Sequence, residues 1–339
     1  MLVDTFERPL RDLRISVTDR CSFRCVYCMP RDEYDNHEYL DRSEILTYGE
    51  IARVAEIAAR LGVRKIRLTG GEPLLRRDLP VLVEMLDGID GIDDLAMTTN
   101  GQLLATQAER LAAAGLDRVT VSLDAIDDTA MRRIIDTDVS VDVVLDAMDA
   151  AEAAGLGPVK INAVIRRGWN EDQVLPLVER FRGTDRTVRF IEFMDVGTKN
   201  SWDVTEVVPS AELVEMIGES WPMTRVGRSH RGEVAEEYRF DDGEGSVGFI
   251  SSVSQPFCAD CTRLRLSAEG SIYTCLFASD GTDLKGALRS PRTDAEIADT
   301  IAQVWRRRED RYSEVRGGVP LPMPRVEMSY ICLLYTSDA

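Results

Sequence analysis

The 339-residue sequence contains only two histidines, His37 and His230. A metal centre built on several imidazoles is excluded by that count. No apolar stretch approaches the ~18 residues that a membrane-crossing helix needs. The N-terminal MLVDTFERPLRDL carries charge where a signal peptide would be apolar. Neither membrane insertion nor export is expected, and the cytoplasm is the expected compartment. Positive charge is scarce: 41 Lys and Arg stand against 59 Asp and Glu, for a formal net charge of −18. Such a surface repels phosphate backbones, so nucleic acid and anionic membranes are not expected partners. An anionic ligand would have to be met by basic side chains gathered in one place. No G-x-x-x-x-G-K-[ST] segment occurs, so a nucleotide would not be held by a P-loop.

What is present is an ordinary globular composition, 44% hydrophobic and 29% charged, in a chain long enough to bury a core without disulfides. Residues 12–18 alternate polar and apolar side chains and read as a strand. Ile51, Val54, Ala55, Ala58 and Leu61 recur at helical spacing before a stop at Gly62. Further strands are expected at Lys65–Thr69, Leu95–Thr98, Val119–Leu123, Val159–Ile165 and Val188–Met194, with Ala- and Leu-rich helices between them. Six strand–helix units predict an α/β fold with a right-handed parallel sheet: an incomplete (β/α)6 TIM-like barrel over residues 1–225. From about residue 226 the pattern shifts to short strands and glycine turns, then a helix from about Asp294 to Arg308. Residues 226–331 are expected to form a smaller α+β region packed against the barrel.

The seven cysteines fall into two groups of three plus Cys332. In a reducing compartment such groups read as metal sites rather than disulfides. Cys21, Cys25 and Cys28 have C-x3-C-x2-C spacing directly after the first strand, at the end where a parallel barrel carries its chemistry. Structural zinc takes four protein ligands and a [4Fe–4S] cluster usually four cysteines. Three thiolates would leave one iron open to a small molecule. A zinc site completed by a distant residue is the alternative. Cys258, Cys261 and Cys275 repeat the count with C-x2-C-x13-C spacing, for which a zinc-ribbon half-site or a loop staple is the alternative. Between them, Arg263 and Arg265 fall on one strand face and suit bidentate contact with phosphate or carboxylate.

The first cysteine motif, with Tyr27 before its last cysteine, and the strand-end turn Gly70-Gly71-Glu72-Pro73 resemble the radical S-adenosylmethionine (SAM) superfamily. The two cysteine groups extend the resemblance, as do DLRISVTDRC (12–21), TGGEPLLRRDL (69–79), TTNG (98–101), VSLD (121–124), KINAV (160–164), RFIEFMDVG (189–197) and PRVEMSYI (324–331). Together they are similar to the GTP 3′,8-cyclase family of molybdenum cofactor biosynthesis, in one register over residues 2–331. The resemblance implies two [4Fe–4S] clusters, one on Cys21, Cys25 and Cys28 and one on Cys258, Cys261 and Cys275. It implies SAM as cofactor and GTP as substrate. A 5′-deoxyadenosyl radical would take hydrogen from C3′ of GTP, whose C3′ then attacks guanine C8. The catalyst would be that radical, with no protein side chain assigned as catalytic. By the same resemblance Tyr27, Gly71, Ser122 and Met194 match SAM-contacting positions. Arg14, Arg67, Thr98, Lys160, Arg263 and Arg265 match GTP-contacting positions. An external electron donor would be required, the product would pass to cyclic pyranopterin monophosphate synthase, and a homodimer is left open.

The end departs from the family. Where Gly-Gly usually follows the segment matching SYI, Ile331 is followed by CLLYTSDA, residues 332–339. Replacing that octapeptide with Gly-Gly is expected to raise cyclisation; equal turnover of the two chains would defeat the expectation. Another radical SAM enzyme with an auxiliary cluster, acting on a peptide, is one alternative reading, separable by a GTP-binding titration. A non-catalytic zinc protein is another, separable by iron against zinc content.

Overall fold

Alternate residues along each strand carry opposite chemistry, and that alternation builds the architecture. In the computed structural model, which describes residues 1–228 and 232–316, six strands run Asp12–Ser16 (β1), Lys65–Thr69 (β2), Asp94–Thr99 (β3), Arg118–Ser122 (β4), Lys160–Ile165 (β5) and Thr187–Glu192 (β6). His230, Gly317-Gly318, PRVEMSYI, Cys332 and the 332–339 tail lie outside the described residues. Neighbours from β1 to β6 pair parallel in sequence order. Their outward residues, such as Leu13, Ile15, Ile66, Leu68, Met97, Val121 and Ile161, are fully buried under helices. The first long helix, Tyr48–Leu61, begins with a capping box. Thr47 Oγ1 accepts from Glu50 N, and Glu50 Oε2 accepts from Thr47 N. It turns Ile51, Val54, Ala55 and Ala58 onto the sheet and ends at Gly62, whose φ of 120° suits glycine. No helix among the described residues is long and apolar enough to cross a membrane.

The C-terminal segment does not lie against the barrel as a separate layer; it lengthens the sheet at both edges. Its strands are Met223–Gly227 (β7), Glu236–Phe240 (β8), Ser246–Ile250 (β9), Arg263–Leu266 (β10), Ser271–Tyr273 (β11) and Thr282–Asp283 (β12). β9 joins β6 in parallel and β10 joins β1 in parallel. Eight parallel strands therefore stand in the order β10-β1-β2-β3-β4-β5-β6-β9, with antiparallel β11–β12 and β8–β7 finishing the edges. β7 runs across position 225. The helix Asp294–Arg306 returns to the Tyr48–Leu61 helix, where Asp294 takes both Arg53 and Arg60. Fully buried Trp305 donates its indole N–H to Arg8 O (3.1 Å), so both ends of the described chain meet.

The inward residues of the strands are polar. Barrel interiors are ordinarily filled by branched apolar side chains. Here Arg14, Ser16, Arg67, Thr69, Thr98, Thr120, Asn162, Arg189 and Arg265 are all buried. A polar interior of this kind is a place for a ligand rather than a core.

Candidate functional site

At the C-terminal ends of the strands, the chain after β1 folds back as the first cysteine loop. Cys28 N and Met29 N both donate to Cys25 O, and Arg24 N and Val26 N pair with Ile135 O and Ile134 O. The turn after β2 lies directly beneath: Gly71 N donates to Thr18 O and Glu72 N to Arg20 O, each at 2.8 Å. A Cβ on Gly71 would sit 2.1 Å from Arg20 O, so the backbone contact permits no side chain there. Gly71→Ala is expected to push the cysteine loop off the turn. The SAM affinity that the family resemblance implies for this turn should fall at least about tenfold, with a loss of about 1–3 kcal/mol in stability. Calorimetry with SAM and thermal melting measure both; wild-type SAM affinity in the variant would rule this out.

The three thiols share a crowded, buried setting. Burial pushes Cys21 up to about 12, with Glu72 adding to it. Burial also raises Cys25, and Asp124, Cys21 and Cys28 add negative charge. Burial thus opposes thiolates here unless a cation compensates them, as the iron of a cluster would. Among the described residues, no three His, Cys, Asp or Glu side chains close on a single ion. A cube-shaped cluster takes each thiolate at a separate iron, so its ligands need not meet at one point. The donor set fits such a cluster. Tyr27 Oη donates to Asp124 Oδ2 (2.6 Å), and Val164 N donates to Asp124 Oδ1 (2.7 Å). The cysteine loop is thereby tied to the ends of β4 and β5. Ser122 stands at the end of β4 beside this tie.

Deeper in the barrel the register sets arginines side by side. Arg14 is aligned with Arg265 on one neighbour and Arg67 on the other. Like charges directly opposite on a sheet destabilise it unless an anion intervenes. Arg14, Arg67, Lys160 and Arg263, expected from sequence, face one cavity of about 310 Å³ together with Lys65, Arg118 and Arg189, which were not. The missed residues had a signal: Lys65 and Arg189 lie inward on expected strands, and Arg118 directly precedes one, each at period two from a residue already singled out or a polar neighbour. Arg67 Nη1 donates to Thr98 Oγ1 (3.2 Å), which brings Thr98 into the same group. Arg189 Nε donates to Asn162 Oδ1 (2.8 Å).

The crowding is visible in the side-chain acidities. Burial and the neighbouring Arg67 and Arg118 push Lys65 down to about 8, despite Asp94 at 3.1 Å. Burial, Arg189 and Arg118 do the same to Lys160, also to about 8. Arg67 is driven well below its ordinary value by burial and by Arg14, Arg118 and Arg189.

The second cysteine group lies where this cavity meets another. Cys258, Cys261 and Cys275 line a pocket with Met194, Ile250, Arg265 and Arg308, and Arg263 borders both spaces. Met194, expected to contact SAM, is thus placed in the wall of the second-cysteine pocket. Arg308 Nη1 donates to Cys261 O (2.8 Å) and Nη2 to Cys261 Sγ (3.0 Å), and Arg263 Nε and Nη2 reach the same sulfur at 3.3 Å. Burial opposes the Cys261 thiolate, but Arg263 and Arg308 outweigh it, and the thiol falls to about 6. Cys275 goes the other way, pushed up to about 12 by burial and Asp310. Arg8 Nη1 donates to Cys258 O and Asp310 O, each at 2.8 Å. Three thiols, one already stabilised as thiolate, fit a metal cluster here as well. Arg8 and Arg308 carried no sequence signal, because each acts on a segment about 50 or 250 residues away.

Comparison with known proteins follows the same division. Residues 15–181 match the Radical SAM superfamily and residues 186–314 match Molybdenum Cofactor Synthesis C. A GTP 3′,8-cyclase of Acidothermus cellulolyticus is 53% identical over 93% of this chain and 88% of its own length. One from Xanthomonas axonopodis pv. citri is 52% identical over 97% of this chain and 98% of its own. One from Staphylococcus aureus is 46% identical, again over 97% and 98%. Among solved structures, Streptococcus suis SuiB bound to S-adenosylmethionine superposes with a TM-score of 0.64 at 16% identity, over 91% of this chain and 68% of that one. This last likeness concerns the fold.

Proposed function

The chain belongs to the GTP 3′,8-cyclase family of radical SAM proteins, and from this we infer that it converts GTP to (8S)-3′,8-cyclo-7,8-dihydroguanosine 5′-triphosphate, the first step of molybdenum cofactor biosynthesis. The observation that carries the reading is the in-register row Arg265–Arg14–Arg67 inside the barrel, continued by Lys65, Arg118, Lys160 and Arg189. That row asks for a polyanion, and a triphosphate answers it.

Cys21, Cys25 and Cys28 hold a [4Fe–4S] cluster in this reading, and Cys258, Cys261 and Cys275 hold a second. When bound, the first cluster supplies the electron that cleaves SAM. The chain's own part is placement. Gly70-Gly71 brings backbone close to the methionine end of SAM, and the Tyr27–Asp124 hydrogen bond fixes the loop that carries the cysteines. The inward Arg and Lys side chains hold the triphosphate, so the nucleoside is directed toward the pocket of the second cysteine group, with Arg263 shared between the two. Fixing both reactants removes the orientational entropy from the barrier. The wall of the barrel excludes water from a reactive radical. Thr98 and Asn162 hold Arg67 and Arg189 in place for that contact. The electron comes from an external donor, and the product goes on to cyclic pyranopterin monophosphate synthase. The cytoplasm is the proposed site of this work.

The deciding experiment is anaerobic. The reconstituted protein is incubated with SAM and a strong reductant, with and without GTP. 5′-Deoxyadenosine is quantified and the cyclised nucleotide sought by mass. GTP-dependent cyclised product is expected. SAM cleavage with no nucleotide product at any GTP concentration would overturn the assignment of substrate.

Binding should also depend on pH in a direction that the lysines fix. In the ligand-free protein Lys65 and Lys160 titrate at about 8, and a bound phosphate would raise both. Affinity for GTP is therefore full below pH 8 and declines as pH rises through 8 toward the bound-state values. Equilibrium dialysis between pH 7 and pH 9.5 measures it, and a flat profile would remove both lysines from the phosphate site.

A further inference from the structure

The basic cavity has one carboxylate in its wall that the reading above does not use. Gly232, Glu233, Val234 and Ala235 line it together with the cations. The fold holds this segment at both ends. A Cβ on Gly232 would come within 2.7 Å of Thr262 Oγ1, at the base of β10. Ala235 lies across Gly248 of β9: a Cβ built there would be 3.5 Å from Ala235 Cβ and 3.0 Å from Arg189 Cγ. Glu233 is thus suspended, half-buried, between the start of β10 and Arg189.

Three carboxylates face this cavity: Asp12, Asp94 and Glu233. Asp94 is engaged by Arg118, whose Nη2 lies 2.7 Å away, and by Lys65 at 3.1 Å. Asp12 accepts from the Thr262 hydroxyl. Glu233 acts instead on Lys160 and Arg189, favouring the charged form of each against burial and like-charge crowding. Those two side chains stand on adjacent strands: Lys160 was expected from sequence to contact the substrate, and Arg189 is in register with Asn162, two residues further along Lys160's strand. Any phosphate that reaches them must come near a fixed negative charge.

We propose that Glu233 is the resident counter-ion of the barrel floor, competing with the ligand's phosphates for Lys160 and Arg189 and holding polyanion affinity below what the cations alone would give. The inference rests on reading this cavity as the polyphosphate site. It has a chemical rationale. A cage of seven cations in which Lys160 and Arg189 had no carboxylate beside them would hold a polyanion, the cyclised triphosphate product included, more tightly and release it more slowly. A carboxylate within the cage lowers the affinity for all of them, most for the ligand that carries the most charge to the floor.

The test uses the reconstituted full chain and three probes: GTP, GMP and inorganic tripolyphosphate. Binding is measured at one fixed salt concentration in wild type, in Glu233→Gln, and in Glu215→Gln, a control on the exposed face of the Ser210–Ser220 helix. Glu233→Gln is expected to bind GTP and tripolyphosphate about three- to tenfold more tightly. The gain for GMP should be smaller, and Glu215→Gln should match wild type. Unchanged or weaker binding of both GTP and tripolyphosphate by Glu233→Gln overturns the proposal. So does a loss seen only with magnesium present, which would make Glu233 a cation ligand instead. If wild type bound tripolyphosphate but not GTP, the nucleotide reading would fail, while the comparison of Glu233→Gln with wild type on tripolyphosphate would still decide this one.

Discussion

Cys25→Ala should purify with about half the iron of wild type, roughly four of the eight atoms that two [4Fe–4S] clusters hold, and should yield no 5′-deoxyadenosine from SAM. The reason lies in the loop. Cys25 is the middle thiol of the three, and its carbonyl receives both Cys28 N and Met29 N. Its side chain shares its surroundings with Cys21, Cys28 and Asp124. Two thiolates cannot hold a cluster that three barely enclose, whereas the second cysteine group, which stands beside β10 and β11, would keep the one proposed for it. Cys275→Ala should produce the complementary result: half the iron, SAM cleavage retained, and no cyclised nucleotide. Iron per chain, chromatography of 5′-deoxyadenosine and mass analysis of the nucleotide read all three. A Cys25→Ala protein with full iron and active SAM cleavage would remove this loop from the chemistry.

Arg67→Met should make the ligand-free protein more stable and a much poorer GTP binder. Arg67 is 4% exposed, and its buried Nε has no hydrogen-bond partner among the described residues. Arg14, Arg118 and Arg189 all act against its charge, while Asp94 favours it. Exchanging a charge in that position for an apolar chain of similar length removes desolvation and repulsion together, worth about 1–4 kcal/mol. Thermal melting without ligand should shift up by about 2–5 °C. A charge-assisted contact to phosphate is worth about 1.5–3 kcal/mol, so GTP affinity should drop at least about tenfold. The opposite signs are the point of the test. A variant that melted lower and bound GTP normally would show that Arg67 is a structural residue.

β1 to β6 could be read from sequence because each declares itself locally: an alternating or apolar run, a helix at 3.6 spacing, a glycine stop. The cysteine motifs were legible for the same reason, since C-x3-C-x2-C and C-x2-C lie within one loop or turn. What was not legible depends on partners far along the chain. β9 and β10 read as short strands, but nothing in their residues says that they pair parallel with β6 and β1. The expectation of a smaller α+β region packed against the barrel followed from the change of pattern near residue 226, and nothing in that pattern says that its strands join the barrel's own sheet. Arg263 and Arg265 were singled out by their own alternation, yet their meeting with Arg14 and Arg67 is a matter of register. Lys65 and Arg118 sit at strand starts, where a charged residue ordinarily faces water, and only the parallel stacking of several strands turns them inward.

The pairing of β10 with β1 joins residues about 250 positions apart. A ribosome releases β1 long before β10 exists, and β1 must wait with one edge unpaired until nearly the whole chain has emerged. The same holds for β6 until β9 arrives. Unpaired parallel edges recruit other strands, so a fragment ending near residue 225 would be left with two adhesive rims and would tend to aggregate. The basic cavity proposed for the triphosphate is completed by that same last docking, because Arg263 arrives with β10. During synthesis there is accordingly no interval in which a half-made chain carries the first cysteine loop together with a finished substrate cage. Synthesis order itself separates the proposed capacity to open SAM from a cavity able to receive its radical, until both can be present in one sheet.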